Sequence, residues 1–453
     1  VTEKRLAGLM IAAPSSGAGK TTVTLALIAA LRAAGHGVAS AKAGPDYIDP
    51  AFHAAASGRE CVNLDPFAMR PALIAKLAQR QQSGADLFVA EAMMGLFDGA
   101  VDGTGSAADL AAAIGANVVL VVDCARQSHS VAALVSGFHR FRADTTISGV
   151  VLNRVGSDRH RAMLTDALRP LGIPVLAALP RRDDLGLPER HLGLVQAGEH
   201  GDLATFLDRA AAWMAENAHL DALADLAKPD RAGSGGAVGA DASRETPGEP
   251  SGATSLPPLG QQIAIARDEA FAFAYPHVLA GWREAGATLS FFSPLADEAP
   301  AEGCDAVFLP GGYPELHAGR LAAAGKFRAG VTHAAGRGAL IYGECGGYMV
   351  LGEGLVDAEG VRHEMLGLLP LETSFAERRR HLGYRRMTPI GGSPFGEGEL
   401  MGHEFHYATT VCEGSDRGSP LFAVRDAAGA DLGRTGLAVG RVMGSFCHVI
   451  DRR

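Results

Sequence analysis

The sequence predicts an α/β protein in two globular parts, the first built on a doubly wound parallel sheet. Three observations carry this. Between residues 9 and 180, six short apolar runs alternate with helix-period segments, the pattern of strand–helix–strand crossovers. Over residues 228–260, Gly, Ser, Pro, Ala and Asp dominate and large apolar side chains almost vanish, as in a flexible linker. Beyond it the alternation of strand, tight turn and helix resumes. The expected divisions are therefore 1–227, a linker over 228–260, and 261–453.

The first strand is Leu9-Met10-Ile11-Ala12, and a helical pattern runs from Thr22 to Leu31. Between them lies Ala13-Pro14-Ser15-Ser16-Gly17-Ala18-Gly19-Lys20-Thr21-Thr22. A small-residue loop between a strand and a helix converges backbone N–H groups on phosphate oxygens, and the helix dipole adds to the attraction. Ser16, Gly17, Ala18, Gly19, Lys20, Thr21 and Thr22 are the candidate ATP-binding residues. Lys20 would reach the terminal phosphates and the Thr21 hydroxyl a magnesium ion. The loop is a variant, because Pro14 stands where the usual pattern begins with Gly.

Gly37 to Lys42 reads as a second strand that runs into Gly44-Pro45-Asp46-Tyr47-Ile48-Asp49-Pro50. Open α/β sheets bind ligands at the carboxyl ends of their strands, which favours function over a plain turn for the two aspartates, Asp46 and Asp49. The next strand, Asp86 to Glu91, ends in an acidic residue beside the phosphate loop, so Glu91 is a metal or water-holding candidate. Asp98, in Phe97-Asp98-Gly99, is a weaker one and also fits an Asp-Gly turn. Asn117 to Asp123, Ile147 to Arg154 and Pro174 to Pro180 complete the strands. Asn153 suits an adenine edge or a turn equally. The polar stretch Leu187-Pro188-Glu189-Arg190-His191-Leu192-Gly193-Leu194 reads as a surface loop on composition alone, and 204–227 as a single helix.

In the second part, Gln262 to Ala266, Thr288 to Phe292 and Ala306 to Leu309 read as strands and 269–284 as a helix. The third strand ends at Pro310-Gly311-Gly312-Tyr313-Pro314-Glu315. A fourth, Gly338 to Tyr342, enters Gly343-Glu344-Cys345-Gly346-Gly347-Tyr348. This has the spacing of a nucleophile elbow with Cys in place of Ser, and flanking glycines permit the strained turn. Cys345 is thus the candidate nucleophile, with its thiol pKa expected to be lowered by the following helix N-terminus. Its base would be His448, just after a terminal strand, with His403 and His406 as rivals.

Composition excludes several classes. A formal net charge of -9 leaves no basic footprint for nucleic acid. Six cysteines without a C-x-x-C pair point to a reducing cytoplasm rather than a zinc ribbon or disulfide framework. Glu3 beside a short apolar run makes a poor signal peptide. The longest apolar stretch, Leu110 to Val122, is too short to span a bilayer.

These motifs carry a resemblance. The second part resembles the class I glutamine amidotransferase fold, in which an elbow cysteine, an oxyanion hole in a Pro-Gly-Gly loop and a C-terminal histidine act together. The matching residues are Cys345, Gly311 with Gly312, and His448. The family's glutamate two residues after the histidine is here Ile450, a departure from the pattern that points to a Cys–His dyad. Fused to a variant phosphate loop, this domain resembles the cobyrinic acid / hydrogenobyrinic acid a,c-diamide synthase family. The matching stretches include the phosphate loop, Lys42 to Pro50, Glu91 to Gly99, Leu187 to Leu194, Pro310 to Glu315 and Gly402 to Tyr407. The first domain resembles dethiobiotin synthetase in fold.

The resemblance implies an enzyme, a carbon–nitrogen ligase of cobalamin biosynthesis. ATP with Mg²⁺ phosphorylates the a and c acetate side chains of a corrin-type tetrapyrrole acid, and ammonia from glutamine displaces the phosphate. Thr21, Asp46 and Glu91 are the implied metal contacts; Tyr47, Asp98, Arg190 and His191 the implied substrate contacts. Partners would be ATP, glutamine and the tetrapyrrole acid, without nucleic acid or membrane, and a homodimer is left open. The rival readings are cobyric acid synthase and a partitioning-type P-loop ATPase, which has no use for a glutaminase.

Overall fold

The computed structural model describes residues 7–187, 189–190, 193–229, 256–414 and 417–453. Strands β1 (Leu9–Ala12), β2 (Val38–Ala43), β3 (Val62–Leu64), β4 (Leu87–Glu91), β5 (Asn117–Asp123), β6 (Ile147–Val155) and β7 (Val175–Pro180) form one sheet in the order β3-β2-β4-β1-β5-β6-β7. Every pairing is parallel. Both faces are covered, as an all-parallel sheet requires. Leu9 and Ile11 join Leu25, Phe206 and Trp213 on one face, while Met10 and Ala12 join Leu110 and Val131 on the other. β3 escapes the sequence because three residues carry no periodicity.

The carboxyl ends of β1, β2 and β4 lie side by side, so three loops converge there: 13–19, 44–48 and 92–98. Parallel register sets Lys42 opposite Glu91, and Glu91 opposite Ile11. The helix expected over 204–227 is two helices, Leu203–Asn217 and Leu220–Ala227. Between them Ala218 bridges Ala177, and the His219 N–H donates to the Leu176 carbonyl, so pairing with β7 interrupts the helix. A short hairpin, β8 (Glu189–Arg190) and β9 (Gly193–Leu194), precedes it.

The linker expected over 228–260 falls mostly outside the described residues. Its last five residues are described, and they bury Leu256 and Leu259 in the core of the second part.

The second part opens with β10 (Gln262–Ala266), β11 (Thr288–Phe292), β12 (Ala306–Leu309) and β13 (Leu340–Glu344). The helix expected from 269 starts only at Pro276, since Phe273 is held in an isolated bridge to Gly311 and Pro occupies the first helical turn. A small sheet uses β14 (Gly354–Val356), β15 (Arg362–Glu364), β16 (Leu371–Ser374) and, after β17 (His381–Pro389) and β18 (Leu400–His406), β19 (Thr409–Glu413). The main sheet is completed by β20 (Ser419–Arg425), β21 (Asp431–Val439), β22 (Val442–Ser445) and β23 (Cys447–Arg452), in the order β11-β10-β12-β13-β22-β21-β20-β17-β18-β23. β22 and β23 are separated by Phe446 alone yet stand at different places in that order. The sheet must therefore curl until its last strand returns beside β22. That closure sets His448 next to the end of β13.

The two parts are docked by specific contacts. Arg70 donates from Nε and Nη2 to the two carboxylate oxygens of the fully buried Asp451, each at 3.0 Å. Lys76 pairs with Glu284 at 2.8 Å, and the Tyr384 hydroxyl reaches Asp65 at 3.2 Å.

Candidate active site

The phosphate loop turns through two left-handed glycines, Gly17 and Gly19. Gly19 begins the helix Lys20–Ala33, and a Cβ there would overlap the Asn153 side chain. Asn153 is buried, and its amide donates to the Ala18 carbonyl at 2.9 Å. Its carbonyl accepts the Arg154 N–H. Those contacts make Asn153 a brace for the loop. The Lys20 ammonium is 3.3 Å from the Ser15 carbonyl, and burial lowers its pKa.

Beside this loop lies a buried cluster of charge. The Thr21 hydroxyl donates to Glu91 Oε1 at 2.7 Å, with Asp49 Oδ2 3.3 Å away. Lys42 Nζ stands 2.5 Å from Asp49 Oδ2, 2.8 Å from Glu91 Oε1 and 3.8 Å from Asp46 Oδ2. The second Glu91 oxygen meets His53 Nε2 at 2.7 Å. Burial opposes each charge, and for Lys42 and Glu91 the partners outweigh it. Asp49 and Glu91 hold the Lys42 pKa above the ordinary lysine value. Lys42 and His53 hold Glu91 below the usual carboxylate range. Asp49, subject to burial and to the neighbouring Asp46, is raised to about 6. Asp46 Oδ1 is fixed by the backbone N–H groups of Ile48 and Asp49 at 2.9 and 3.0 Å.

A cavity of about 750 Å³ opens onto this cluster. Ser16, Gly17, Gly19, Lys20, Thr21, Thr22, Asp46, Glu91 and Asn153 all line it, so the sequence-derived nucleotide and metal candidates converge, with Ala18 behind them under Asn153. A second cleft of about 470 Å³ adjoins it, sharing Met93 and Met94 as a common wall. Asp98, Gly44 and Val101 line one side of this cleft, and Leu382, Tyr384, Arg385 and His403 of the second part line the other. Met94 has a positive φ of 55° and is 48% exposed, an uncommon conformation for a non-glycine residue and one that clusters at functional sites. Asp98 Oδ2 also accepts the Gly95 N–H at 2.8 Å, so the turn and the cleft position coexist.

In the second part, Cys345 takes φ 47° and ψ −106°, the strained elbow its glycine neighbours foretold. Its N–H donates to the Ser445 carbonyl at 2.8 Å, tying the elbow to β22. Gly311 has no side chain because there is no room for one: a Cβ would overlap the His448 imidazole and stand 3.3 Å from Cys345 Cβ. A Cβ on Gly346 would likewise come within 3.0 Å of the Gly312 nitrogen. Cys345, His448, Gly311 and Gly312 therefore meet in one small space. His406 is committed elsewhere, 2.9 Å from Glu404 Oε1 and stacked on Phe446. His403 faces the second cleft.

The expected lowering of the Cys345 thiol is overturned. Burial pushes its pKa up, with Glu315 adding to the rise, and the N–H of Gly346 does not compensate. Burial also depresses His448 to about 3, aided by His403 and His406, and raises Glu344 to about 8. The resting pair is thus a neutral thiol beside a neutral imidazole.

Tyr47 lies in neither cavity. Its ring is 4.5 Å from that of His448, and its hydroxyl accepts from Tyr275 at 2.7 Å. It occupies the ground between the two sites, next in sequence to Asp46. Arg190 belongs to β8, but its side chain, like His191, lies outside the described residues. Sequence reading passed over Lys42 and His53 as site residues, and marked Asp49 together with Asp46 without giving it a role. Asp49 carries the same strand-end signal as Asp46, whereas Lys42 and His53 acquire meaning only through their contacts with Glu91.

Residues 9–195 match the family described as the CobQ/CobB/MinD/ParA nucleotide binding domain, and residues 262–453 the CobB/CobQ-like glutamine amidotransferase domain. A hydrogenobyrinate a,c-diamide synthase of Brucella anthropi is 62% identical over 447 residues, covering 98% of each chain. Its namesake in Rhizobium meliloti is 60% identical over 444 residues, 98% of this chain and 99% of that one. That of Mesorhizobium japonicum is 49% identical over 449 residues, 98% of each.

Proposed function

The chain belongs to the hydrogenobyrinate a,c-diamide synthase family, and from that premise we propose how it uses ATP and glutamine to convert the a and c side-chain carboxylates of hydrogenobyrinic acid to amides. It is an amide-forming ligase of cobalamin synthesis. The observation that carries the mechanism is the pair of adjoining cavities, one lined by phosphate-loop residues and one by both parts of the chain, with Met93 and Met94 between them.

ATP occupies the larger cavity with its phosphates against the loop N–H groups and Lys20. The macrocycle enters the second cleft and presents one carboxylate past Met93 and Met94. A carboxylate oxygen attacks the terminal phosphorus, the bond to ADP breaks, and an acyl phosphate forms. Ammonia then adds to the acyl carbon and phosphate departs, leaving the amide and releasing a proton. Positioning and charge neutralisation supply most of the catalysis in such transfers.

The donor set suits a hard divalent cation, since Thr21, Asp46, Asp49 and Glu91 offer only oxygen atoms. We assign Mg²⁺ to Thr21, Asp46 and Glu91, where it would neutralise charge on the phosphate oxygens. Lys42 and His53 hold Glu91 ionised and aimed, and the backbone holds Asp46.

At the other site the Cys345 sulfur attacks the glutamine amide carbon and its proton passes to His448. Gly311 and Gly312 N–H groups bind the oxyanion. His448 returns the proton to the nitrogen, the carbon–nitrogen bond breaks, ammonia leaves, and water cleaves the thioester to glutamate. Neutral thiol and imidazole at rest mean that the ion pair forms only when glutamine fills the site. The partners are small molecules, and the six free thiols fit a reducing cytoplasm.

The test offers the purified chain ATP, Mg²⁺ and glutamine with either hydrogenobyrinic acid or cobyrinic acid. Mass spectrometry should find the diamide of hydrogenobyrinic acid. Amidation of neither acid would refute the reading.

A further inference from the structure

The His448 imidazole has a neighbour that the Cys–His dyad leaves out. Glu344 is the residue immediately before the nucleophile, at the end of β13, and β13 pairs it with Ser445 of β22. The sheet's closure brings β23 back past this point. His448 Nδ1 consequently lies 3.6 Å from Glu344 Oε2, both groups being buried. The other Glu344 oxygen accepts the Val449 N–H at 3.1 Å, so the carboxylate is fixed to the strand that carries the histidine. Neither imidazole nitrogen has a hydrogen-bond partner among the described residues. A buried imidazole nitrogen without a partner is costly, and the carboxylate is only slightly beyond bonding range. Active-site hydrogen bonds of this kind tighten when substrate binds.

We propose that Glu344 is the positioning residue for His448, supplying from the nucleophile's own strand the carboxylate missing at position 450. Ile450 is buried and aliphatic, and its carbonyl is used by His277 at 2.9 Å. When ionised, Glu344 accepts Nδ1–H, which leaves the Nε2 lone pair to take the Cys345 proton. It then stabilises the imidazolium until that proton reaches the departing nitrogen. The elbow thus carries nucleophile and orienting carboxylate as consecutive residues, pointing to either side of the histidine's task.

The inference rests on the glutaminase reading of Cys345, so Cys345→Ala is measured in parallel. Glu344→Gln keeps the shape and the Val449 contact but removes the charge. Assayed above pH 8, where the carboxyl is ionised, it should lower kcat for glutamine hydrolysis at least about 30-fold while changing KM by less than about twofold. Alkylation of Cys345 by a glutamine-analogue chloroketone should slow in parallel, and ammonium-driven amidation should stay near that of the unaltered chain. Glu344→Asp, a carboxylate set one methylene back, should recover part of kcat. Unchanged kcat in Glu344→Gln, an equal loss of ammonium-driven amidation, or no recovery in Glu344→Asp overturns the inference alone. Glutamine use by Cys345→Ala overturns the reading beneath it.

Discussion

Lys42 offers the sharpest test of the phosphoryl site, because its ammonium holds two buried carboxylates together. Asp49 Oδ2 and Glu91 Oε1 both lie within 3 Å of Nζ. They therefore stand no more than 5.3 Å from each other, and at an effective dielectric of about 20 their repulsion is at least about 3 kcal/mol. Lys42→Met removes the charge at nearly constant volume and exposes that repulsion. Breaking a buried ion pair from one side typically costs about 3–5 kcal/mol. At about 2–4 °C per kcal/mol for a domain of this size, the thermal midpoint of the first part should fall by roughly 6–20 °C. Magnesium should restore more of that loss in the variant than it adds to the unaltered chain, since it returns positive charge to the same carboxylates. Amidation driven by ammonium salt should drop at least about 100-fold, because Glu91 and Asp49 lose their alignment. Glutamine hydrolysis should persist. A Lys42→Met chain with unchanged melting, unchanged magnesium response and unchanged ammonium-driven amidation would refute the reasoning.

The other expectations are quickly checked. Lys20→Ala should abolish amidation from either nitrogen source, as followed by mass spectrometry of the tetrapyrrole. His53 is pulled two ways: burial lowers its pKa, but Cys61 and Glu91 outweigh this and raise it from 6.5 to about 10. A raised histidine pKa stabilises fully below about 6.5 and loses that contribution as pH rises through about 10, while the depressed Glu91 contributes above about 4.5. The stability gap between the unaltered chain and His53→Asn, read by denaturant titration, should therefore be widest between these lower limits and narrow toward pH 10. Tyr47→Ala removes the ring between His448 and the Asp46 loop. Glutamate formed per amide formed should rise above one, and a ratio held at one would show that the ring does not couple the sites.

Much of the fold was legible because strands buried on both faces spell themselves as apolar runs. β1, β5, β10, β11 and β12 fall on the residues their composition marks. The elbow was legible because only a few residue types tolerate a turn such as that of Cys345. The Lys42–Glu91 pair was not, since it exists only through the parallel register of β2 and β4, residues far apart in the chain. The strands from β17 to β23 were largely hidden, their many glycines and arginines breaking any alternation. The contact of Asn153 was hidden for a related reason: its partner, the Ala18 carbonyl, is a backbone group that no side-chain pattern reveals. The thiol expectation failed on magnitude. A six-residue helix offers one nearby N–H, and near-complete burial of the sulfur outweighs it.

The central claim is that ammonia is made at Cys345 and consumed at a separate phosphoryl site. Its most direct test is Cys345→Ala, supplied with ATP, Mg²⁺ and hydrogenobyrinic acid, and with either glutamine or a high concentration of ammonium salt. Cys447→Ala, altered at the neighbouring buried thiol, serves as the control and should keep most glutamine-dependent synthesis. The account predicts that Cys345→Ala forms no diamide from glutamine and near-normal diamide from ammonium. Diamide from glutamine in that variant, or none from ammonium, would contradict it.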